Sequence, residues 1–459
     1  MPKRIVVVGG GLAGMAAAVA LESAGNHVTL VEARKTLGGR AGSFEDPKNG
    51  EFLDNCQHVL LGCCTNLLDF YRRIGVLDLI RWDNTIHFFD SRGRQHRLWA
   101  MQGFPAPLHL AAAGALFGAL TLAERLALGR AMLAMLRLGT GGRAKLGDVS
   151  FGQWLADHRQ PDSLIDKFYE LILVSALNER CRDASAAYAI QVFQEGMLSH
   201  RSAYRMGTPG CPLGKLYGRL PCQDVRLAAR MTAIRFDGSR AVGIELAGEL
   251  LPADAVILAV NYPALEKWVP AELANRDGRF AGLSRLQSVP ILGAHLWFDR
   301  PVISTAHAAL LGGPLQWLFR KPGTDGSAVL GVISAARDWL QQNNEESLDL
   351  FTQQIRRTFP AARNAKLLRG SIIIEKRATF SPAPGIDRFR PAQSPPPNGI
   401  GGLFLAGDYT QTGWPATMEG AVRSGYLAAG AILGEPGAFL VPDLPMQWPA
   451  RLIGWSIDR

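Results

Sequence analysis

Three glycines at positions 9, 11 and 14 stand where a short β-branched run meets an alanine-rich one. That spacing suits a pyrophosphate. Gly9 permits a tight turn, Gly11 has no Cβ to keep phosphates away, and Gly14 lets a helix pack closely on its strand. The helix start, with Leu12 and Ala13 in its first turn, then offers free N–H groups and a partial positive charge. Glu32 and Ala33 close the next apolar run. A carboxylate there can hold ribose hydroxyls and disfavours a 2′-phosphate. A purely structural glycine turn is the bland alternative, and these residues alone leave NAD and FAD both open.

Such residues need a strand–helix–strand unit to position them. Arg4–Gly9 reads as a buried parallel strand. Leu12–Ala24 reads as a helix with Leu12, Met15, Ala16, Val19 and Ala20 on one face, stopped by Gly25. His27–Glu32 is the second strand. Later strands are expected over 225–234, 241–246 and 255–260, with a turn at Asp237-Gly238. More strands fall within 288–335, one of them His295–Phe298. A helix over 348–358, a proline-rich connection over 388–399, a strand over 402–406 and a helix over 418–433 complete the chain. The expected fold class is α/β, a Rossmann-type domain interleaved with a mixed-sheet-plus-helices substrate domain. Segments 1–90, 206–270 and 399–435 are assigned to the cofactor. Segment 91–205 is mainly helical and faces substrate or membrane, 271–398 supplies the substrate-domain sheet, and 436–459 is a tail without motif.

With 459 residues, 47% of them hydrophobic and 19% charged, the chain can bury a large core, which excludes general disorder. A net charge of +9 suits nucleic acid, an anionic membrane surface, or an evenly basic exterior. No dense Lys/Arg block with interleaved aromatics appears, so nucleic acid is not expected. Phe104–Ala123 lacks Asp, Glu, Lys and Arg, and the stretch from Gly103 to Leu138 reads as largely helical. Arg125, Arg130 and Arg137 make its second half basic and amphipathic. Core packing and monotopic membrane contact both fit it; a true span does not. Cysteines 56, 63, 64, 181, 211 and 222 form no Cys-x-x-Cys pair, so no metal is expected. Reduced thiols and an N-terminus that runs straight into a strand point to a cytoplasmic protein.

Glu32-Ala-Arg34-Lys-Thr-Leu-Gly38-Gly39-Arg40 resembles the extended signature of the amine oxidase and carotenoid desaturase flavoprotein superfamily. The resemblance implies FAD. It places Gly39 and Arg40 in a turn that reaches back to the cofactor, Arg40 bidentate on pyrophosphate oxygens, and Arg34 near the adenosine end. Leu403–Asp408 is similar to the family's second FAD contact, in which Gly407 and Asp408 meet the ribityl or pyrophosphate portion. Trp414, Thr417, Met418 and Glu419 then open a last helix whose N-terminus faces the flavin and stabilises its reduced, negative form. By the same resemblance the Met231 backbone touches adenine, and Asn55, Gln57 and His58 lie near the flavin. No second Gly-x-Gly-x-x-Gly follows a strand, so electrons are exchanged with an external partner: dioxygen, free reduced nicotinamide or a redox partner.

Phe52-Leu-Asp54-Asn55-Cys56-Gln57-His58 through Cys64, His295–Pro301 and Trp414–Gly420 look like the hydroxysqualene dehydroxylase family, over residues 4 to 433. Tyr409 and Gln411 depart from its pattern. This resemblance implies reduction of hydroxysqualene to squalene in hopanoid biosynthesis, with hydride passing from flavin N5 to an allylic carbon. The departing hydroxyl then needs a proton. His58 and Asp54 are the motif-borne candidates to donate or relay it. The alternatives are a structural histidine, an orienting aspartate, and Cys56 as packing. A C30 isoprenoid alcohol also implies an apolar tunnel and delivery from the bilayer, with the protein peripheral on the inner face of the cell membrane. A carotenoid-type desaturase, a flavin amine oxidase and a non-catalytic prenyl carrier are the competing readings.

Overall fold

The computed structural model describes residues 1–46, 50–265 and 267–454. Residues 455–459 of the expected tail lie outside these. Two sheets organise the chain. The first has five strands in the order 224–226, 27–31, 4–8, 255–258 and 403–405, all parallel. Ile5 to Val8 are buried, as a central parallel strand covered on both faces requires. The second has seven strands in the order 367–380, 288–298, 328–333, 317–320, 307–311, 85–90 and 95–99. Its strands pair antiparallel except for 307–311 against 85–90.

Several elements differ from the sequence reading. The expected strand over 225–234 is two, Asp224–Arg226 in the parallel sheet and Met231–Asp237 in a three-stranded antiparallel one. Ala228, with φ of 52°, turns the chain between them. The 14-residue strand Leu367–Phe380 shows no simple alternation of burial, and the sequence reading has no counterpart to it. Strands 85–90 and 95–99 both belong to the second sheet, so the chain crosses no layer boundary at residue 90.

Four helices frame the site and the surface beside it. Helix α1, Leu12–Ser23, is buried from Leu12 to Leu21 rather than on one face. Helix α2, Leu122–Ala144, is broken at Gly139, and a Thr121/Glu124 capping box starts it. The expected long helix from Gly103 is thus a short 3₁₀ turn at 108–110, a five-residue helix at 111–115, a loop, and then α2. Helix α3, Met418–Leu433, begins at a Thr417 cap. Helix α4, Trp448–Gly454, packs against α2.

The two chain ends meet where α1 crosses α3. At the crossing Gly425 faces α1, and a Cβ there would overlap the Ala13 carbonyl and come within 2.9 Å of Ala17 N. Alanine-rich α1 and Gly425 therefore approach at near backbone contact, and Lys3 Nζ donates to the Ile432 carbonyl 2.6 Å away at the far end of α3. Replacing Gly425 with valine should destabilise the protein by about 3 kcal/mol or more, since backbone rather than a movable side chain blocks the added atoms. Thermal melting of the purified variant checks this.

Candidate functional site

The turn after the first strand is built from backbone. Gly9 adopts φ of 113°, and a Cβ on Gly14 would run into the Gly9 carbonyl and lie 3.1 Å from Ala259 Cβ. Both glycines are thus required by the fold. Gly11 is different. Nothing in the protein lies within 4 Å of a Cβ built there, so the turn faces open space. Gly11 is also the N-cap of α1 and provides no side-chain cap. The first-turn N–H groups at Leu12, Ala13 and Gly14 stay available for an anion.

Beside this turn lies a pocket of about 160 Å³ lined by Gly9, Glu32, Ala33, Met231 and Trp268, among others. Glu32 is held in place by two amides, Gly10 N–H on Oε2 at 2.6 Å and Arg34 N–H on Oε1 at 2.7 Å. Its oxygens keep further lone pairs for ribose hydroxyls. Arg34 is exposed and does not line the pocket, and its carbonyl accepts from Ala228 N. Arg230 and Ala229 line it instead. They and Trp268 carry no motif, so only the fold reveals them.

The Gly38-Gly39-Arg40 turn folds onto the glycine loop. Gly38 N donates to the Gly10 carbonyl at 2.9 Å, and a Cβ on Gly39 would sit 3.1 Å from Gly11 Cα. Arg40 then reaches across to the other end of the chain. Its Nη2 pairs with Asp408 Oδ1 at 2.6 Å, and its Nη1 donates to the Ala378 carbonyl at 2.6 Å. The guanidinium thus fixes the Asp408 carboxylate. Burial opposes the Arg40 charge, and Asp408 with Glu375 outweighs it, holding the group above its usual range.

Asp408 and Gly407 lie in a loop pinned from behind. Gly407 N donates to Ser424 Oγ of α3 at 2.8 Å. Buried Arg390 donates to the carbonyls of Asp408, Tyr409 and Thr410 and to Thr412 Oγ1. It stands in the proline-rich stretch read from sequence as a surface connection. Tyr409 is buried, and its hydroxyl has no partner among the described residues. Thr417 accepts from Gly420 N at 3.1 Å and Met418 opens α3, while Trp414 packs on Cys63 and Ala203. The Glu419 side chain serves the fold. Fully buried, it accepts from Asn66 N, Asn66 Nδ2, Leu67 N and Arg423 Nε, so its carboxylate ties α3 to the helix Thr65–Arg73.

The segment bearing Asp54 and His58 adjoins the Arg40 turn. Strands 43–45 and 52–54 pair, and Asn55 Nδ2 donates to the Arg40 carbonyl and Glu375 Oε2, each at 3.2 Å. Gln57 contacts the His58 carbonyl at 3.4 Å. His295 Nε2 donates to the Asp54 carbonyl at 3.0 Å, which brings two of the sequence's distinctive segments into one place. Ser43 Oγ and Leu213 N both donate to Asp54 Oδ1, at 2.6 and 3.0 Å. Burial nonetheless lifts Asp54 above the usual carboxylate range. Burial also lowers His58, against the Cys56 carbonyl that its Nδ1 meets at 3.0 Å. Cys56 is pushed up to about 12 by burial and is no thiolate nucleophile.

A parallel sheet with a glycine turn, an uncapped helix N-terminus and a carboxylate-lined pocket defines a dinucleotide-binding oxidoreductase of the α/β class. Residues 12–433 match the signature of flavin-containing amine oxidoreductases, and the chain belongs to that family, with FAD as cofactor. Among its relatives, the 15-cis-phytoene desaturase of Synechococcus elongatus is 26% identical, covering 94% of this chain and 96% of that protein. The zeta-carotene desaturase of a Synechocystis species is also 26% identical, over 97% of this chain and 100% of its own. Putrescine oxidase bound to putrescine shares the fold at a TM-score of 0.69 and 18% identity, over 95% of this chain and 100% of that one. Cyclohexylamine oxidase from Brevibacterium oxydans does so at 0.66 and 18%, over 95% and 99%.

Gly11 separates binding from folding. Gly11→Ala has an allowed backbone, φ −77° and ψ 178°, and meets no protein atom. Its melting temperature without flavin should match the parent, while its flavin content after purification falls sharply. Absorbance near the flavin band against protein concentration reads the loss.

Proposed function

We propose that this flavoprotein acts on a long-chain isoprenoid alcohol and converts hydroxysqualene to squalene with electrons from an external donor. The run from Phe52 to Cys64 carries the reading, because its resemblance is the most specific in the chain and it packs against the turn expected to touch the cofactor. Gly9, Gly11, the first turn of α1, Glu32 and Met231 would hold the adenosine and pyrophosphate, and Asp408, fixed by Arg40, the ribityl side. Bound FAD supplies hydride transfer. The chain's own task is then to protonate the departing hydroxyl.

The two candidates for that proton differ. His58 Nδ1–H donates to the Cys56 carbonyl, and burial holds the ring neutral, so its remaining nitrogen accepts rather than donates. Asp54, raised by burial, keeps its proton to higher pH than an exposed aspartate. Asp54 is therefore the better donor and His58 the positioning residue.

Carotenoid-type desaturation is the second reading, and the names of the phytoene and zeta-carotene desaturases favour it. At 26% identity, fold and cofactor carry over more securely than the direction of electron flow. Anaerobic incubation of photoreduced enzyme with hydroxysqualene, with products identified by mass, separates the two. Squalene is expected, and Asp54→Asn should slow its formation by about 100-fold or more with flavin content retained. No squalene, together with new conjugated absorbance when oxidised enzyme meets a carotenoid precursor, would reverse the order.

Delivery of such a substrate fits an apolar face on the helical region. Phe104, Leu108, Leu116, Leu122 and Leu126 are exposed there, and so are Trp448 and Leu452 of α4. Gln447 Oε1 accepts from Ala106 N at 2.6 Å, and Arg125 donates to the Ala115 and Leu120 carbonyls, so these residues adjoin. Leu122, Leu126, Arg130 and Arg137 follow one side of α2, placing basic groups beside the apolar ones. No helix among the described residues is long and apolar enough to cross a membrane. Peripheral docking on anionic lipid is the fitting mode. In a flotation assay the protein should rise with anionic vesicles, and a Leu122→Glu/Leu126→Glu variant should stay at the bottom.

A further inference from the structure

The sequence suggests no metal site, yet the fold assembles one ligand set that spacing does not reveal. Asp83 ends the strand Ile80–Asp83, His87 lies in Thr85–Asp90, and His307 opens His307–Leu311. One ligand-type atom from each lies within 4.8 Å of the others. His307 is almost fully buried, whereas the Asp83 side chain is 34% exposed.

The far side of each group is already held. Thr85 N–H donates to Asp83 Oδ1 at 3.0 Å, and Asp83 Oδ2 lies 3.7 Å from His307 Nδ1. The Gln95 carboxamide meets His87 Nδ1 at 2.9 Å. Turned so that its oxygen accepts Nδ1–H, it leaves His87 Nε2 with a free lone pair. The other edge of His307 faces the 85–90 backbone, where its Nε2 accepts from His87 N–H at 3.4 Å. For His87, an outer N–H held by the Gln95 carboxamide oxygen, with the inner nitrogen free, is how metal-binding imidazoles are oriented. Among the described residues, no lysine or arginine forms an ion pair with Asp83, which leaves its carboxylate open to a cation.

We propose that Asp83, His87 and His307 bind one divalent transition-metal ion, with zinc the best fit, that pins two sheets together. One carboxylate and two imidazoles supply three of four tetrahedral positions and leave water for the fourth. Zinc bonds of about 2.0–2.2 Å place ligand atoms about 3.4 Å apart, so the partly exposed Asp83 and His87 must close by roughly an ångström. The strand bearing Asp83 pairs with Met206–Pro209 in the sheet that also holds Leu60–Leu61. The two histidine strands form the parallel junction of the seven-stranded sheet. The ion would therefore clamp the substrate-domain sheet to the small sheet that continues from the Asp54 segment.

The purified chain, stripped with chelator and titrated with Zn²⁺, tests the site. One zinc per chain is expected after dialysis, with a zinc-dependent rise in melting temperature and visible absorption when Co²⁺ is used instead. Asp83→Asn and His87→Gln should lose stoichiometric zinc and the rise, while keeping their flavin absorbance and metal-free melting. Gln95→Leu, which touches no metal, should weaken zinc binding by about 10- to 100-fold. Zinc uptake unchanged in Asp83→Asn and His87→Gln, or no uptake by the parent at micromolar zinc, would overturn the assignment.

Discussion

The close approach of α1 and α3 is the constraint on which the cofactor site depends. One helix follows the first strand and the other follows the last, so their packing draws together two segments that the parallel sheet holds one strand apart. Contact at backbone distance requires residues that take no space, and Ala13, Ala17 and Gly425 meet that need. A larger residue would push the helices apart, and the loops at their N-termini would separate with them. Arg40 and Asp408, on opposite sides of that junction, could then no longer pair.

The two helix starts do different work. At α1 the cap is a glycine with empty space in front of it, so the N–H groups wait for an external anion. At α3 the Thr417 hydroxyl caps the first turn, and Glu419 anchors a neighbouring helix. The start of α1 is thus the one left without a side-chain cap. The burial of Arg390 follows the same logic. A loop that must hold a carboxylate beside a charged cofactor needs its own carbonyls satisfied, and one guanidinium with five donors satisfies three of them.

What the sequence revealed was whatever rests on backbone chemistry at fixed spacing. Gly9, Gly11, Gly14, Glu32 and the strand–helix–strand unit were legible because turn geometry admits few residues at those positions. Met231 was legible only through family resemblance. Arg230 and Trp268 were not, because a pocket wall brought in from a distant strand or loop imposes no local pattern. Glu419 shows a constraint of another kind. It sits inside a distinctive segment, yet the segment's constraint is packing, since its carboxylate fastens two helices. The break between Ala115 and Leu122 was hidden as well, for alanine and leucine score as helical whether or not a tertiary contact bends the chain.

Direction of electron flow is the property this architecture leaves to a few side chains. A flavin clasped in the same way can give or take hydride, so the surrounding protons decide which reaction proceeds easily. A desaturase must remove a proton from carbon, which calls for a base or a route to one. A dehydroxylase must supply one to oxygen, which calls for an acid that still holds its proton near neutrality. Under the proposed reading, desolvation of Asp54 favours the second requirement, outweighing the opposing effect of nearby His58 and Lys321. Ser43 and Leu213 limit the effect by donating to the ionised form, so the carboxyl can release its proton as well as retain it. In the proposed dehydroxylation, a proton donor reloaded after each turnover would need both tendencies in balance.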